Sequence, residues 1–140
     1  MIHAQLQIVK LTELKQHEEV DPTHLKELKK EIASDKILKF AIVADKNTNI
    51  ILDGQHRFNA IKELGYSRIP VVYVDYNLPE IEVQSWKGNP YLTKKEVIEA
   101  GLSGRKFPPK TSKHMIRIGG SLHHISAIEK RLDIPLEKLR

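Results

Sequence analysis

Ile51-Leu52-Asp53-Gly54-Gln55-His56-Arg57 runs an apolar stretch into a helical one through a single glycine. Phe40 to Ala44 and Ile50 to Leu52 are apolar and β-prone around the turn residues Asp45-Lys46-Asn47-Thr48-Asn49, which together read as a hairpin. From Gln55 the pattern changes to Phe58, Ile61 and Leu64 on one helix face, with Gly65 placed to cap the C-terminus. A strand that becomes a helix at a glycine offers unpaired backbone N–H groups and the positive end of a helix dipole, where an anion sits readily. Gly54 lets the backbone come close. Arg57 adds planar donors for a phosphate, His56 can give or take a proton, and Asp53 can orient a nucleophile or help hold a magnesium ion. By spacing alone, a capped turn carrying surface charges fits these residues as well. Neither Gly-x-x-x-x-Gly-Lys-Ser/Thr nor Gly-x-Gly-x-x-Gly occurs, so any phosphate held here is held on another scaffold.

Working outward, Gln5 to Val9 alternate as a short half-buried strand, and Thr12 to Glu19 read as a polar loop. Asp21-Pro22 is an N-cap followed by proline at the first helical position, and Leu25, Leu28 and Ile32 predict a helix from about 22 to 34. Ile69 to Val74 return to strand, with Pro70 near its start, and Ile81, Val83 and Ser85 suggest another ending near Trp86. Lys87 to Pro90 form a loop. Thr93 caps a short helix through Val97, Ile98 and Leu102, closed by Gly101 and Gly104. Arg105 to Arg117, with the Pro108-Pro109 pair, read as a loop, and Ser121 caps a last helix with apolar positions Leu122, Ile125, Ile128 and Leu132.

The 140 residues, 40% hydrophobic, suffice for one compact domain. Lysine and arginine total 23 against 18 acids, and the excess lies after Leu102: nine basic residues against three acidic ones from Ser103 onward. Such a basic end suits phosphate or nucleic acid. With no cysteine, disulfides, thiolate catalysis and cysteine-held metals are excluded. The start lacks the charged and apolar regions of a signal peptide, and no apolar run approaches the roughly 20 residues that span a bilayer. A soluble cytoplasmic protein, with no membrane partner, is the expectation.

Two further segments carry chemistry. Pro109-Lys110-Thr111-Ser112-Lys113-His114 sets hydroxyls, lysines and an imidazole behind a stiff diproline, and serves equally as a basic surface loop. His17-Glu18-Glu19 holds a loop carboxylate able to act as a general base, although acidic pairs before a helix are commonly structural. His123-His124 on a helix would diverge by about 100 degrees and cannot share an ion, and His3 and His24 have no partner in sequence. Trp86, the single tryptophan, suits either a core or a lid over a small ligand.

The strand, Asp53-Gly54-Gln55-His56-Arg57-Phe58 turn, helix and strand resemble the ParB/sulfiredoxin-like domain over residues 5 to 86, with its Gly-x-His/Arg-Arg phosphate signature. Within that superfamily the chain most resembles the free L-serine kinases. His17-Glu18, Trp86, Thr93-Lys94-Lys95-Glu96-Val97 and Pro109 to His114 match segments of those kinases. The resemblance implies an α+β fold, with a small mixed sheet and surrounding helices in a nucleotide-binding core over residues 1–88. Residues 89–140 would add a short helical C-terminal extension that completes the active site within a single compact unit.

Carried over, Glu18 takes the proton of the serine hydroxyl, and Asp53 assists it or organises Mg2+. Gly54, Gln55, His56 and Arg57 cradle the phosphates of ATP or ADP. Thr111, Ser112, Lys113 and His114 close on the phosphoryl group, the last three also on the L-serine carboxylate, and Trp86 walls the pocket. The product is O-phospho-L-serine, which implies cysteine biosynthesis. Two features depart from the family pattern. Only Lys87 to Leu92 stand where archaeal kinases carry a long insertion, and the family arginine falls on Lys113, losing the bidentate fork. The rival is a ParB-like nucleotide-binding regulatory or DNA-associated protein without turnover. Nucleic acid is not expected as a partner, because residues 103–140 leave no room for the helix-turn-helix that follows the domain in ParB chains. Sulfiredoxin chemistry is excluded, since Gln55 stands where its cysteine would be.

Overall fold

In the computed structural model, which describes residues 4–86 and 92–140, β1 (Gln5–Lys10) leads through a clamped loop to α1 (Pro22–Asp35). There follow β2 (Ile37–Phe40), β3 (Ile42–Asp45), β4 (Ile51–Asp53), α2 (Gln55–Glu63), β5 (Arg68–Val74) and β6 (Ile81–Ser85). α3 (Lys94–Ser103), β7 (Ser112–Ile118), β8 (Ser121–His124) and β9 (Arg131–Pro135) complete the chain, with 3-10 turns at Ile125–Ile128 and Leu136–Leu139. No helix is long and apolar enough to cross a membrane among the described residues.

The helices start where their caps place them. The Asp21 carboxylate accepts the N–H of Thr23 at 2.9 Å ahead of Pro22, and the Thr93 hydroxyl accepts that of Glu96. The hairpin forms as β3 and β4, and β5 lies parallel to β3 after a crossover through α2, giving a mixed sheet in the order β1-β5-β3-β4. Pro70 sits in a central strand, opposite Ile8 of β1; the ladder to β3 begins one residue later, at Val71.

Because both faces of β3 and β4 are covered, their residues are apolar in succession rather than alternating. Ile42, Ala44 and Ile51 face one core with Leu25 and Ile32 of α1 and Phe58 and Ile61 of α2. Val43, Ile50 and Leu52 face a second core with Val97 of α3, Ile116 of β7 and Ile125. The chain after residue 92 is therefore built into the same interior as the sheet.

That C-terminal part is the main correction. No last helix forms over Leu122 to Leu132. Ser112–Ile118 is strand instead of loop, paired with β6 on one side and β8 on the other, and β9 returns to pair with β2. Gly119-Gly120, both with positive φ (57° and 83°), make the two-residue turn joining β7 to β8, which turns an apparent helix cap into a hairpin. The extension therefore combines α3 and two 3-10 turns with three strands. β1 is more exposed than its alternation suggests, Leu6 and Ile8 remaining 41% and 48% exposed on an edge strand. The loop expectation at Lys87 to Pro90 lies outside the described residues.

Candidate active site

Gly54 is the pivot. It leaves β4 and N-caps α2 in the left-handed region (φ 104°), and its α-carbon faces Ile42 so closely that an added Cβ would lie 2.7 Å from the Ile42 Cβ. Phe58 N–H is the first to bond back, to the Gly54 carbonyl. The N–H groups at the start of α2 therefore have no intrahelical partner and edge a cleft of about 260 Å³. Asp53, Gln55, His56 and Trp86 line the cleft with Gly54, as do Glu18, Glu19, Lys110, Ser112 and His114.

Glu18 is held from three sides. Its segment is pinned between β4 and the 107 region: Ile51 N–H donates to the Lys15 carbonyl, Phe107 N–H to that of His17, and Glu19 N–H to that of Phe107. Its Oε1 accepts the N–H (2.8 Å) and the hydroxyl (2.9 Å) of Ser112, and Oε2 accepts the N–H of Lys110 at 3.1 Å. Burial raises the carboxyl above its ordinary range, outweighing the downward pull of these donors. Lys110 is non-glycine at φ 58°, a strained turn that aims its N–H at the carboxylate.

His17 is wholly buried, and burial lowers its ring to about 4. His114, 2% exposed, is also held well below its usual value by burial and by His17, whose ring meets it edge-on at 5.6 Å. Its Nε2 lies 2.7 Å from the Tyr76 hydroxyl, whose phenol burial keeps protonated. Both rings are neutral in the folded chain near neutral pH and charged in the unfolded chain once pH falls below about 6.5. Their contribution to stability is complete above that value and is lost as pH falls toward 4, about 3 kcal/mol for His17. Urea unfolding at pH 7 and pH 4.5 should show this loss, and His17→Gln should reduce it; equal pH slopes in both proteins would refute the assignment.

His56 accepts the N–H of Asp21 on Nε2 at 3.0 Å, and its ring stacks 4.3 Å from that of His24. Burial is the main cause of its lowered pKa, with His24 adding to it. His24, solitary in sequence, thus has a partner in space.

The structure places several predicted residues elsewhere. Arg57 does not line the cleft: its guanidinium donates to the Ala41 and Phe40 carbonyls and to the carboxylates of Asp53 (3.3 Å) and Glu129 (2.8 Å). Burial, then the neighbouring Asp53 carboxyl, push Glu129 upward against the pull of Arg57. The arginine therefore braces the turn. Thr111 spends its hydroxyl on the Pro108 carbonyl at 2.7 Å, and the Lys113 ammonium lies 4.6 Å over the ring of Trp86, which is 55% exposed at the rim.

Sequence context singles out neither Glu129 nor His124. Glu129 comes from 72 residues along the chain, and His124 reaches the cleft because β8 is a strand. Adjacent strand residues point to opposite faces, so His123 and His124 still cannot share an ion. No group of three or more His, Asp or Glu side chains converges for a metal among the described residues.

This turn, its cleft and the mixed sheet define a class: residues 2–86 match the ParB N-terminal domain, and the chain belongs to that family. Two curated relatives are similar in sequence. The ATP-dependent L-serine kinase of Staphylothermus marinus is 31% identical over 88 residues, 60% of this chain and 35% of that protein. A ParB-like protein of Sulfolobus acidocaldarius is 36% identical over 86 residues, 61% of this chain and 43% of that protein. The chain thus matches well under half the length of these relatives. A solved free serine kinase in complex with AMP has the same fold, with a TM-score of 0.78 over 96% of this chain and 93% of that one at 16% identity.

Proposed function

We propose that this chain is a phosphotransferase that moves the terminal phosphoryl group of ATP to the hydroxyl of L-serine, giving O-phospho-L-serine. The observation that carries the reading is the Glu18 carboxylate, fixed by Ser112 and Lys110 in a cleft that the Gly54 turn and the start of α2 also line. A base facing an anion cradle suits transfer of a phosphoryl group to a hydroxyl. The serine kinase names of relatives support the acceptor, and the ATP-dependent ones the donor.

In the step, the serine hydroxyl oxygen bonds to the terminal phosphorus, the bond from that phosphorus to the bridging oxygen breaks, and ADP leaves with the electron pair. The hydroxyl proton passes to Glu18. The N–H groups of α2, the neutral His56 and the Lys110 ammonium surround the phosphates, while Trp86 closes the rim. His114 and Ser112 also line the cleft. Asp53 has one oxygen on Arg57 and stands at the cleft, a donor set that fits Mg2+ when nucleotide phosphates supply the remaining ligands. Bound there, the ion offsets phosphate charge.

Incubation with L-serine, magnesium and either ATP or ADP, read by phosphorus NMR, should give O-phosphoserine. Formation with ADP alone would change the donor assignment. No product with either, despite nucleotide binding, would overturn the kinase reading and favour a ParB-like binding role.

A further inference from the structure

Gln55 is engaged at both ends of its amide. Its Oε1 accepts the backbone N–H of Glu18 at 3.1 Å, and its Nε2 lies 3.3 Å from Nδ1 of His17. A backbone N–H only donates, so the amide cannot turn over without losing that bond, and the end facing His17 is a donor. With Gln55 as the donor, Nδ1 of His17 is the bare nitrogen and the neutral ring carries its proton on Nε2, in competition with the Ile51 backbone acceptor that the ring also meets.

That Nε2 lies 2.9 Å from the Ser112 hydroxyl oxygen. Accepting from His17 leaves Ser112 its one proton to give, and Glu18 Oε1 is 2.9 Å away. The bonds close into a ring, Glu18 to Gln55 to His17 to Ser112 and back to Glu18, all running in one direction. Such one-way rings strengthen each member. Together with the Ser112 N–H, the ring fills both acceptor positions of Oε1, whereas Oε2, which accepts the Lys110 N–H, takes no part in the ring.

We propose that Gln55 and His17 are positioning residues that hold Glu18 through the Ser112 hydroxyl, so that Oε2 is the oxygen that receives the acceptor's proton. The proposal rests on the kinase reading for its catalytic meaning, while the ring itself does not. It gives Gln55 a role other than the phosphate contact implied by its place in the signature. Its neighbours at the turn keep their phosphate-facing N–H groups.

Two measurements separate the ring from the activity. In the full wild-type chain with nitrogen-15 histidine, the His17 ring, assigned through its contact with Phe107 at 6.4 Å, should show a protonated Nε2 and a bare Nδ1 at pH 7. A ring protonated on Nδ1, giving its proton to the Ile51 backbone instead, overturns the proposal whether or not the protein is a kinase.

In the kinase assay, Gln55→Glu keeps an acceptor for Glu18 N–H but has no donor for His17. Its kcat should fall on the order of 100-fold with the KM for ATP within about twofold, as expected when a reacting group is misplaced by about 1 Å. A raised KM with unchanged kcat would make Gln55 a phosphate ligand and sink the positioning role. His17→Gln, whose amide can still donate to Ser112, should retain more activity than His17→Asn; the reverse order counts against the ring. Failure of every protein to phosphorylate serine would remove the kinase reading and leave the NMR result to decide the ring.

Discussion

Glu18→Gln should lower kcat for serine phosphorylation by a factor of about 100 to 10,000, the range that a positioned general base supplies. The substitution keeps the size of the side chain and one acceptor oxygen. The N–H and hydroxyl of Ser112 and the N–H of Lys110 all donate to the carboxylate in the native chain, so the amide leaves at least one donor facing its own NH2. A stability loss of about 1 kcal/mol should accompany the loss of turnover. Nucleotide affinity should change little, because the phosphates are read by the N–H groups of α2, His56 and the Lys110 ammonium rather than by the Glu18 carboxylate. Trp86 is the single tryptophan and stands at the rim of the cleft, so its fluorescence can follow ADP binding in both proteins. Wild-type turnover in the variant would reject Glu18 as the base. Lost binding with normal folding would make it a ligand instead.

Gly54→Ala is expected to cost about 3 kcal/mol, lowering the melting temperature by roughly 10 °C. Two penalties add. The residue sits at φ 104°, where an L side chain is strained, and the new methyl would stand 2.7 Å from the Ile42 Cβ and in contact with its Cγ2. Ile42 is fully buried in β3, between Val71 of β5 and the α1 and α2 core, so it cannot step aside. Relief would come from moving the start of α2, which carries the N–H groups that face the cleft. Nucleotide affinity should therefore fall along with stability. Thermal unfolding and ADP titration measure the two effects. A variant as stable as the parent would show that the turn is more yielding than its packing implies.

Local patterns carried most of the chain up to α3. Asp21-Pro22 and Thr93 begin helices because a side-chain oxygen and a preset φ act on neighbouring residues alone. The hairpin around residues 42–53 and α2 after Gly54 follow from equally short-range signals. The C-terminal third was misread for the same reason. Leu122, Ile125, Ile128 and Leu132 satisfy a helix period, yet the pairing of β7 with β6 and of β9 with β2 joins residues 27 or more positions apart, and no local spacing encodes that. Gly119-Gly120 was the one local clue to a hairpin there.

The candidate site divides in the same way. Asp53, Gly54, Gln55 and His56 are neighbours on one turn, so the sequence by itself determined that they share a cleft edge. Family resemblance assigned Glu18 and Ser112, separated by 94 positions, to one active site with separate roles, but the bonds between them exist because the 15–19 segment is clamped between β4 and Phe107. Tertiary structure alone decided that Arg57 turns to Asp53 and Glu129, that His24 stacks on His56, and that Gln55 faces His17. A side chain's chemical capacity is local, whereas the partner that uses it is set by which strands pair and which charges burial brings together.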